Sequence, residues 1–210
     1  MKYNSCTDYW LNKEQMSLRG EFEKMYQDID DPWGCGEFSD SINNKIFCEM
    51  IFHHRKFVNI LDIGSALGDL TNILHRYNCG GDVVGWEISK TATKKAKESY
   101  PSIIFKNRNI MKDSIDKEYE LITMSEVLWY LLENLEEVFN NLAKGLSSNG
   151  ILAIHQYFPA EQNFGNDVIS GLENFENFIK NSTEFEFVNK VVSFVDEDRV
   201  LLALLQKKDK

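Results

Sequence analysis

The sequence predicts an α/β fold in which helices cover both faces of a seven-stranded, mostly parallel sheet that ends in an antiparallel C-terminal hairpin. From Phe57 onward, short apolar runs alternate with stretches whose apolar residues recur at helical spacing, as in parallel βαβ units. A turn of small residues, Gly64 to Gly68, separates the first of these strands from the helix that follows. The last two strands are joined by an acidic turn that is too short for a parallel crossover, so we expect them to pair antiparallel.

Each element is predicted from its own apolar pattern. Strands are expected near residues 57–63, 82–87, 103–106, 119–125, 150–157, 185–194 and 199–206. The helices between them are predicted from Leu70, Ile73, Leu74 and Tyr77, from Ala92 and Ala96 after Ser89, and from Leu131, Leu135, Val138, Phe139, Leu142 and Leu146. Two earlier helices are predicted from Leu18, Phe22 and Met25, and from Ile42, Ile46, Phe47, Met50 and Ile51 with Ser39 or Asp40 as N-cap. We expect one domain, with residues 1–56 as a helical lid on a core of residues 57–210.

Composition limits the possible partners. A formal net charge of −10 disfavours nucleic acid, because binding to a phosphate backbone depends on clustered Lys and Arg. The 4 cysteines lie far apart, so we expect reduced thiols in a cytoplasmic protein, and no metal-ligand spacing appears. No segment offers the roughly 18 consecutive apolar residues of a membrane span. We therefore expect a cytoplasmic protein that works without a metal, a membrane or a nucleic acid, and we expect it to be a monomer or homodimer.

The turn after the first strand predicts a cofactor site. The stretch VNILDIGSALGDLT, residues 58–71, runs from an apolar strand through small residues into a helix, and its glycines let backbone approach a ligand. The spacing of Asp62, Gly64, Ala66 and Gly68 resembles motif I of the class I S-adenosylmethionine (SAM) methyltransferases, although Ala66 stands where Gly is commoner. That resemblance implies the Rossmann-like methyltransferase sheet, with SAM as cofactor and S-adenosylhomocysteine (SAH) as product. It places the backbone of Gly64, Ser65 and Gly68 against the amino-acid half of SAM, with Asp62 near its ammonium group.

The ends of the next two strands carry further cofactor candidates, since ligands of open α/β sheets collect at the carboxyl ends of strands. A carboxylate at Glu87 is suited to accept hydrogen bonds from both ribose hydroxyls, and the alternative is that it begins the next helix. Ile88 or Trp86 adds apolar contact to the adenine in this reading. Asn109 and Ile110 stand where the resemblance implies contacts to the adenine edge, whereas an ordinary Asx turn is the alternative for Asn109.

The fourth strand leads to the candidate chemistry. YELITMSEVLWYL, residues 119–131, resembles motif IV of small-molecule methyltransferases, which implies that Ser125 and Glu126 approach the sulfonium and the acceptor. An amine acceptor must lose a proton before attack, and Glu126 and His155 are the candidate bases. Tyr130 and Tyr157 are predicted to orient the acceptor. A strand histidine bonded to a backbone carbonyl is the alternative for His155.

The N-terminal lid sharpens the resemblance. A tyrosine followed by Asp-Pro-Trp, together with the motif at the fourth strand end, is similar to the nodulation-type (NodS-like) N-methyltransferases. The residues that carry it are Tyr26, Asp31, Pro32, Trp33, Glu126, Val127, Leu128, Tyr130 and Leu131. The resemblance implies methylation of an amino group on a chito-oligosaccharide or a related small acceptor, with Tyr26, Asp31 and Trp33 in the acceptor clamp; for Asp31 a solvated loop is the alternative.

Two other functions stay open at this stage. One is an O-methyltransferase of capsule or surface-glycoconjugate biosynthesis, because nothing in these residues separates nitrogen from oxygen attack. The other is a catalytically silent SAM-binding protein, which the departures at Ala66 and Asn109 favour.

Overall fold

The computed structural model describes residue 3 and residues 5–34 and 41–208 of the chain. The strands within this part are β1 (Leu11–Asn12), β2 (Ser17–Leu18), β3 (Ile60–Ile63), β4 (Val83–Glu87), β5 (Ile104–Asn107), β6 (Tyr119–Ser125), β7 (Leu146–Phe158), β8 (Phe185–Val195) and β9 (Asp198–Lys207). The helices are α1 (Thr7–Trp10), α2 (Phe22–Asp28), α3 (Ile42–His54), α4 (Asp69–Tyr77), α5 (Lys90–Ser99), α6 (Leu135–Gly145) and α7 (Gly171–Ser182).

The main sheet has the strand order β5-β4-β3-β6-β7-β9-β8. The strands from β5 to β7 are parallel, whereas β9 runs antiparallel to both β7 and β8. The predicted seven-stranded sheet with its antiparallel hairpin is thus confirmed. The strand order reverses between β3 and β6, so their carboxyl ends diverge into the crevice at which open α/β sheets bind ligands.

Helices pack on both faces of this sheet, as predicted. One face carries Phe47 of α3 and Leu74 of α4, both fully buried against the strands. The other face carries Phe139 of α6 and Phe175 of α7 in a larger apolar cluster. Burial of large side chains on both faces stabilises the strands at the crevice. None of the described helices is long and apolar enough to cross a membrane.

Several element boundaries differ from the prediction. Strand β7 begins at Leu146 rather than near residue 150, because Leu146 already pairs with Tyr119 before the register shifts and Ile151 pairs with Leu121. The helix predicted from Leu131 begins at Leu135, after two short 3-10 turns. Leu18 belongs to β2 and not to a helix, and α7 was not anticipated. The predicted caps Ser39 and Asp40 lie outside the described residues, and the N-cap position of α3 is Ser41.

Candidate active site

A cavity of about 650 Å³ opens at the carboxyl ends of β3, β4 and β6. It brings together most of the residues that the sequence singled out. The predicted residues on its walls are Tyr26, Trp33, Asp62, Gly64, Ser65, Glu87, Ile88, Asn109, Ile110, Ser125, Glu126, Tyr130 and His155. The elements that converge here come from segments far apart in the chain, which is the pattern of a built site.

The turn after β3 is held against β4. The amides of Gly64 and Ser65 both donate to the Trp86 carbonyl, at 2.8 and 3.0 Å. Gly64 has φ +74°, and a Cβ at this position would lie 2.5 Å from Cγ2 of Val127. Ala66 adopts φ +48°, so this turn uses the left-handed region even where it lacks glycine. The backbone therefore passes close to the loop after β6, with no room for a side chain at position 64.

Gly68 acts through conformation and not as part of the cavity wall. Its φ is +96° at the N-terminus of α4, and a Cβ would lie 2.7 Å from the ring of Phe105. Gly68 itself does not line the cavity, because it turns the chain into α4 behind the turn that does, and its direct contact with a cofactor stays a prediction.

Asp62 links three elements below the turn. Thr71 of α4 donates to its Oδ2 at 2.6 Å, and Thr123 of β6 donates to its Oδ1 at 2.7 Å. The carboxyl group is buried, and this burial raises its pKa to about 6 against the opposing effect of the two hydroxyl donors. The group therefore carries a negative charge at neutral pH on the cavity wall.

Glu87 is held as a hydrogen-bond acceptor at the end of β4. Ala66 N donates to its Oε2 at 3.1 Å, and Ser89 N donates to its Oε1 at 2.8 Å. Each oxygen keeps a further lone pair, which suits a vicinal diol. Burial raises the pKa of the carboxyl group to about 7, although these amides oppose the shift. Helix α5 is capped by Ser89, whose Oγ accepts from Ala92 N at 3.1 Å, so capping is not the role of Glu87.

Asn109 forms the Asx turn that was its alternative. Its Oδ1 accepts from Met111 N at 3.0 Å, and its own amide donates to Asp113 Oδ2 at 2.7 Å. The side-chain oxygen that was predicted to accept from adenine is thus already bonded within the chain. Ile110 is buried beside it and contributes apolar surface to the cavity.

The ends of β6 and β7 bring the candidate bases together. Ser125 Oγ lies 3.0 Å from His155 Nδ1, and Glu126 Oε1 lies 3.6 Å from His155 Nε2. Glu126 has φ +55° and its amide donates to the His155 carbonyl at 2.9 Å. The alternative of a histidine bonded to a backbone carbonyl is not what is seen, because the ring partner of His155 is a hydroxyl.

Burial sets the protonation of this pair. Desolvation within the cavity walls raises the pKa of Glu126 to about 7, and burial lowers the pKa of His155 to about 4. At neutral pH the imidazole is therefore uncharged and Glu126 is near its midpoint. Burial and the nearby Glu126 raise the pKa of the Tyr130 hydroxyl, which stays protonated and able to donate. Carboxyl groups with a pKa near the working pH are suited to general base catalysis.

The N-terminal lid covers this end of the sheet through aromatic contacts. The ring centroid of Tyr130 lies 4.9 Å from that of Phe22, 5.3 Å from that of Trp10 and 6.3 Å from that of Trp33. Edge-to-face packing of this kind adds to the stability provided by apolar burial. Tyr26, predicted as a clamp residue, is 2% exposed and belongs to the part of the lid that lines the cavity.

Polar contacts fix the lid to α5. The Glu23 carboxylate accepts from Ser89 Oγ at 2.8 Å, from Thr91 N at 3.1 Å and from Thr91 Oγ1 at 2.8 Å. Partial burial raises the pKa of Glu23, but these donors outweigh it and lower the value to about 2. Lys95 donates to the Tyr26 carbonyl at 3.2 Å. Helix α2 is therefore docked on the helix that follows Glu87.

Two other predicted site residues lie elsewhere. The Tyr157 hydroxyl donates to Asp198 at the start of β9 and the residue does not line the cavity, so its role in orienting the acceptor stays a prediction. Asp31 lies in an exposed part of the lid outside the cavity wall. Its role in the acceptor clamp stays a prediction beside the solvated-loop alternative, whereas Trp33, two residues later, lines the cavity.

Sequence reasoning missed Gln156. This residue is 1% exposed on β7 and donates to the Glu126 carboxylate from Nε2 at 3.1 Å. The available signal was a pair of polar residues, His155 and Gln156, inside the otherwise apolar strand ILAIHQYF. Because successive side chains of a strand point to opposite faces of the sheet, His155 and Gln156 predict one polar side chain on each face.

The acid and base composition of the cavity wall fits SAM. Among the described residues that line it, the Asp, Glu, Lys and Arg side chains are four carboxylates, Asp62, Asp69, Glu87 and Glu126, and one guanidinium, Arg108. This excess of negative charge favours a ligand that carries a sulfonium and an ammonium group. The buried Oγ of Ser65 has no hydrogen-bond partner in the described part of the chain and lies at the cavity. Within the same residues, no group of three or more His, Cys, Asp or Glu side chains is arranged to hold a metal ion.

Comparison with known proteins identifies the family. The sequence model of the Nodulation protein S (NodS) family matches residues 18–157. Nodulation protein S of Azorhizobium caulinodans is 29% identical over 143 residues, which are 64% of this chain and 68% of that protein. The putative methyltransferase 235L of Invertebrate iridescent virus 6 is 30% identical over 95 residues, or 45% of this chain, and the match spans 36% of the viral protein.

Solved structures agree with this assignment. The N-methyltransferase NodS from Bradyrhizobium japonicum WM9, in complex with SAH, superposes with a TM-score of 0.70 at 19% identity, over 90% of this chain and 98% of that one. The PH0226 protein of Pyrococcus horikoshii OT3 gives a TM-score of 0.67 at 18% identity, over 89% and 100% of the two chains. At such identities the structures show a shared fold, and the family follows from the sequence match. The chain belongs to the NodS family of SAM-dependent methyltransferases.

Proposed function

We propose that this protein transfers a methyl group from SAM to the nitrogen of an amine on a small polar metabolite, with an amino-sugar or carbohydrate derivative as the favoured class. The observation that carries the proposal is the position of Glu126, a carboxyl group on the cavity wall whose Oε1 lies 3.6 Å from Nε2 of His155 and whose pKa is raised to about 7. The relative from Bradyrhizobium japonicum is named an N-methyltransferase, which supports nitrogen as the acceptor atom.

The cofactor would be held by the turn after β3 and the carboxylates around it. Glu87 would accept from the ribose hydroxyls, and Asp62 would face the ammonium group of the methionine part. When bound, SAM supplies a methyl group on a positively charged sulfur, which keeps the electrons of the broken carbon–sulfur bond. The protein contributes alignment and the exclusion of water, and such alignment accounts for a large share of the acceleration of displacement reactions.

Deprotonation of the acceptor is the step that needs a side chain. An alkylammonium group has a pKa of about 10, so it enters the cavity mainly with its proton. The Glu126 carboxylate accepts that proton and becomes a carboxylic acid, and the amine nitrogen regains its lone pair. The acid then releases the proton to water. Neutral His155, 3.6 Å from Glu126 Oε1, adds no positive charge that would repel an ammonium acceptor.

The acceptor side of the cavity favours a molecule with a flat apolar face. Phe22, Trp33 and Tyr130 place aromatic rings around the entrance, next to the acidic floor. Sugar rings pack their C–H faces on such surfaces, and an ammonium group is attracted by both the rings and the carboxylate. The volume of about 650 Å³ lies within the range of small-molecule sites.

The proposal is tested by incubating the protein with methyl-labelled SAM and a panel of amino sugars, their N-acetyl forms and neutral sugars, followed by mass spectrometry. We expect label on the free amines, and little label when Glu126 is replaced by Gln. Glu133→Gln, at an exposed carboxylate on a neighbouring turn, is the matched control. Label confined to hydroxyl groups would favour the O-methyltransferase, and no transfer to any compound by a protein that binds SAH would favour the silent binding protein.

The remaining assignments complete the proposal. Residues 1–56 act as the lid of a single domain whose core is residues 57–210. The protein works in the cytoplasm as a monomer or homodimer without nucleic acid, and the free thiols of Cys6, Cys48 and Cys79 suit a reducing compartment.

A further inference from the structure

We propose that Gln156 is a positioning residue that orients the Glu126 carboxyl group so that Oε1 is the oxygen that receives the proton of the acceptor. The inference rests on the proposed role of Glu126 as base. It concerns a residue that does not line the cavity, and it assigns different roles to the two oxygens of one carboxyl group.

The amide of Gln156 has only one orientation that satisfies its neighbours. Its Oε1 accepts from Leu128 N at 3.0 Å, whereas its Nε2 donates to Glu126 Oε2 at 3.1 Å and to the Tyr157 carbonyl at 3.2 Å. A rotated amide would set an NH2 group against the Leu128 N–H and an oxygen against both a carboxylate and a carbonyl. Since the side chain is 1% exposed, water cannot relieve such a mismatch. Gln156 therefore presents a fixed N–H donor to Glu126.

The two oxygens of Glu126 consequently differ. Oε2 accepts from Gln156 Nε2 at 3.1 Å and from Tyr157 N at 3.2 Å. Oε1 lies 3.6 Å from His155 Nε2. Two N–H donors stabilise negative charge on Oε2, so the neutral form of the group carries its hydrogen on Oε1. The ammonium proton is therefore transferred to Oε1, and the N–H bond breaks as the O–H bond forms.

The backbone of Glu126 is fixed in an unusual conformation, whereas its side chain needs contacts of its own to hold its position. Its φ of +55° lies in the left-handed region that glutamate rarely adopts. Its amide donates to the His155 carbonyl, which ties the backbone to β7, but the side chain projects into an open cavity. The hydrogen bonds from β7 to Oε2 restrict where the carboxyl group can lie. The hydrogen bond from Gln156 is thus part of the site, although Gln156 itself does not line the cavity.

Several titratable groups lie around Glu126, and their pKa values decide what a titration of the protein would report. His155 on β7 has a pKa lowered by burial to about 4 and stays neutral above that value. Tyr130, on the 3-10 turn after β6, has a pKa raised by burial and by Glu126 itself. The Tyr157 hydroxyl is bonded to Asp198, and that bond and burial raise its pKa to about 12. Asp198 has a pKa lowered by the same bond. None of these groups titrates near neutrality. Glu87 on the cavity wall does, with a pKa of about 7, so the resonance that is lost in Glu126→Gln distinguishes the two carboxyl carbons.

The test is a ¹³C NMR titration of the free protein labelled at the glutamate carboxyl carbons, with Glu126→Gln to assign the resonance. In Gln156→Met the chain keeps a side chain of similar length but loses the N–H donor to Oε2. We expect the pKa of Glu126 to rise by roughly one unit, because the donor stabilises the ionised form. Gln206→Met is the matched control, since Gln206 donates to Glu186 at 2.9 Å in an exposed pair far from the site. It should leave the Glu126 titration unchanged.

A second readout uses the unchanged protein. The side-chain ¹⁵N and ¹H resonances of Gln156 should shift with the same midpoint as the Glu126 carboxyl carbon. A Gln156 resonance that is flat through that midpoint, or a Gln156→Met protein that is folded and titrates as the original does, would overturn the proposal. No acceptor is present in these measurements, so their outcome does not depend on methyl transfer. The proposed function would be contradicted by a different result, the absence of methyl transfer to amines.

Discussion

Replacing Glu87 with Gln should weaken SAH binding by roughly ten- to a hundredfold. Each carboxylate oxygen already accepts one backbone N–H, from Ala66 or Ser89, and each retains a lone pair for a ribose hydroxyl. Gln offers one such oxygen, and its NH2 group would face a backbone N–H in place of the other. A lost hydrogen bond to a charged acceptor costs about 1.5 to 3 kcal/mol, and each 1.4 kcal/mol is about tenfold in affinity.

The pH dependence of binding gives a second signature of the same carboxylate. Burial raises the pKa of Glu87 to about 7, and the ionised form is the one that accepts from both ribose hydroxyls. Protonation therefore competes with binding as the pH falls. Between pH 8 and pH 6 the affinity of the unaltered protein should drop by about tenfold. Glu87→Gln should lose most of this dependence and retain only the contribution of Asp62, whose pKa is about 6.

Isothermal titration calorimetry with SAH at pH 6, 7 and 8 measures both effects. Glu98→Gln is the matched control, because Glu98 lies on the exposed side of α5 with a side chain that is 65% accessible. It changes the net charge equally and should bind like the unaltered protein. A folded Glu87→Gln protein that binds SAH within about twofold of that control at pH 8 would refute the ribose assignment.

Three further substitutions test the scaffold of the site. Gly64→Ala should lower the melting temperature and abolish measurable SAH binding, since its Cβ would lie 2.5 Å from Cγ2 of Val127 at φ +74°; scanning fluorimetry and calorimetry check this. Asp62→Asn should stabilise the free protein at pH 8 by up to about 3 kcal/mol in urea unfolding while weakening SAH binding. The sign follows from the raised pKa of the Asp62 carboxyl group, which changes from 3.8 to about 6 on folding. The group contributes its full stabilisation of the folded protein below pH 3.8, and this stabilisation is lost as the pH rises through 6. Glu23→Gln should cost about 1 to 3 kcal/mol of unfolding free energy at pH 7, because the hydrogen bonds from Ser89 and Thr91 lose a charged acceptor. Its lowered pKa, about 2, means that this contribution is present above pH 4.5 and lost only as the pH falls towards 2, which acid unfolding measures.

The sheet was predictable because its signals are local. Strands such as β3 and β4 are short apolar runs that end at turn residues, and the short turn after β8 permits an antiparallel partner only. The ends of strands were less predictable where a residue that usually ends a strand, such as glycine, lies inside one. Gly150 lies within β7 in this way, in an irregular stretch between the pairs Tyr119–Leu146 and Leu121–Ile151.

The site was predictable at the strand ends and less so behind them. Glu87 and Glu126 follow apolar strands, and the chain order alone puts them at one edge of the sheet. Whether Asn109 faced a ligand or its own backbone depended on Asp113, which fixes the turn from four residues ahead. The role of Gln156 depended on a neighbour 30 residues earlier, because Glu126 reaches it only across the pairing of β6 with β7. The polar pair within an apolar strand marks the residue in the sequence, but the linear pattern does not say which residue is its cross-strand partner.

Ser89 connects the lid to the cofactor pocket. Its amide donates to Glu87 at 2.8 Å, its hydroxyl donates to Glu23 at 2.8 Å, and its Oγ accepts from Ala92 N at 3.1 Å as the cap of α5. Displacement of α2 would therefore disturb the loop that holds the ribose carboxylate. Glu23 has a pKa of about 2, so this attachment stays ionised over the range in which Glu87 titrates. A loss of SAH affinity between pH 8 and pH 6 must consequently arise at the pocket carboxylates and not from release of the lid.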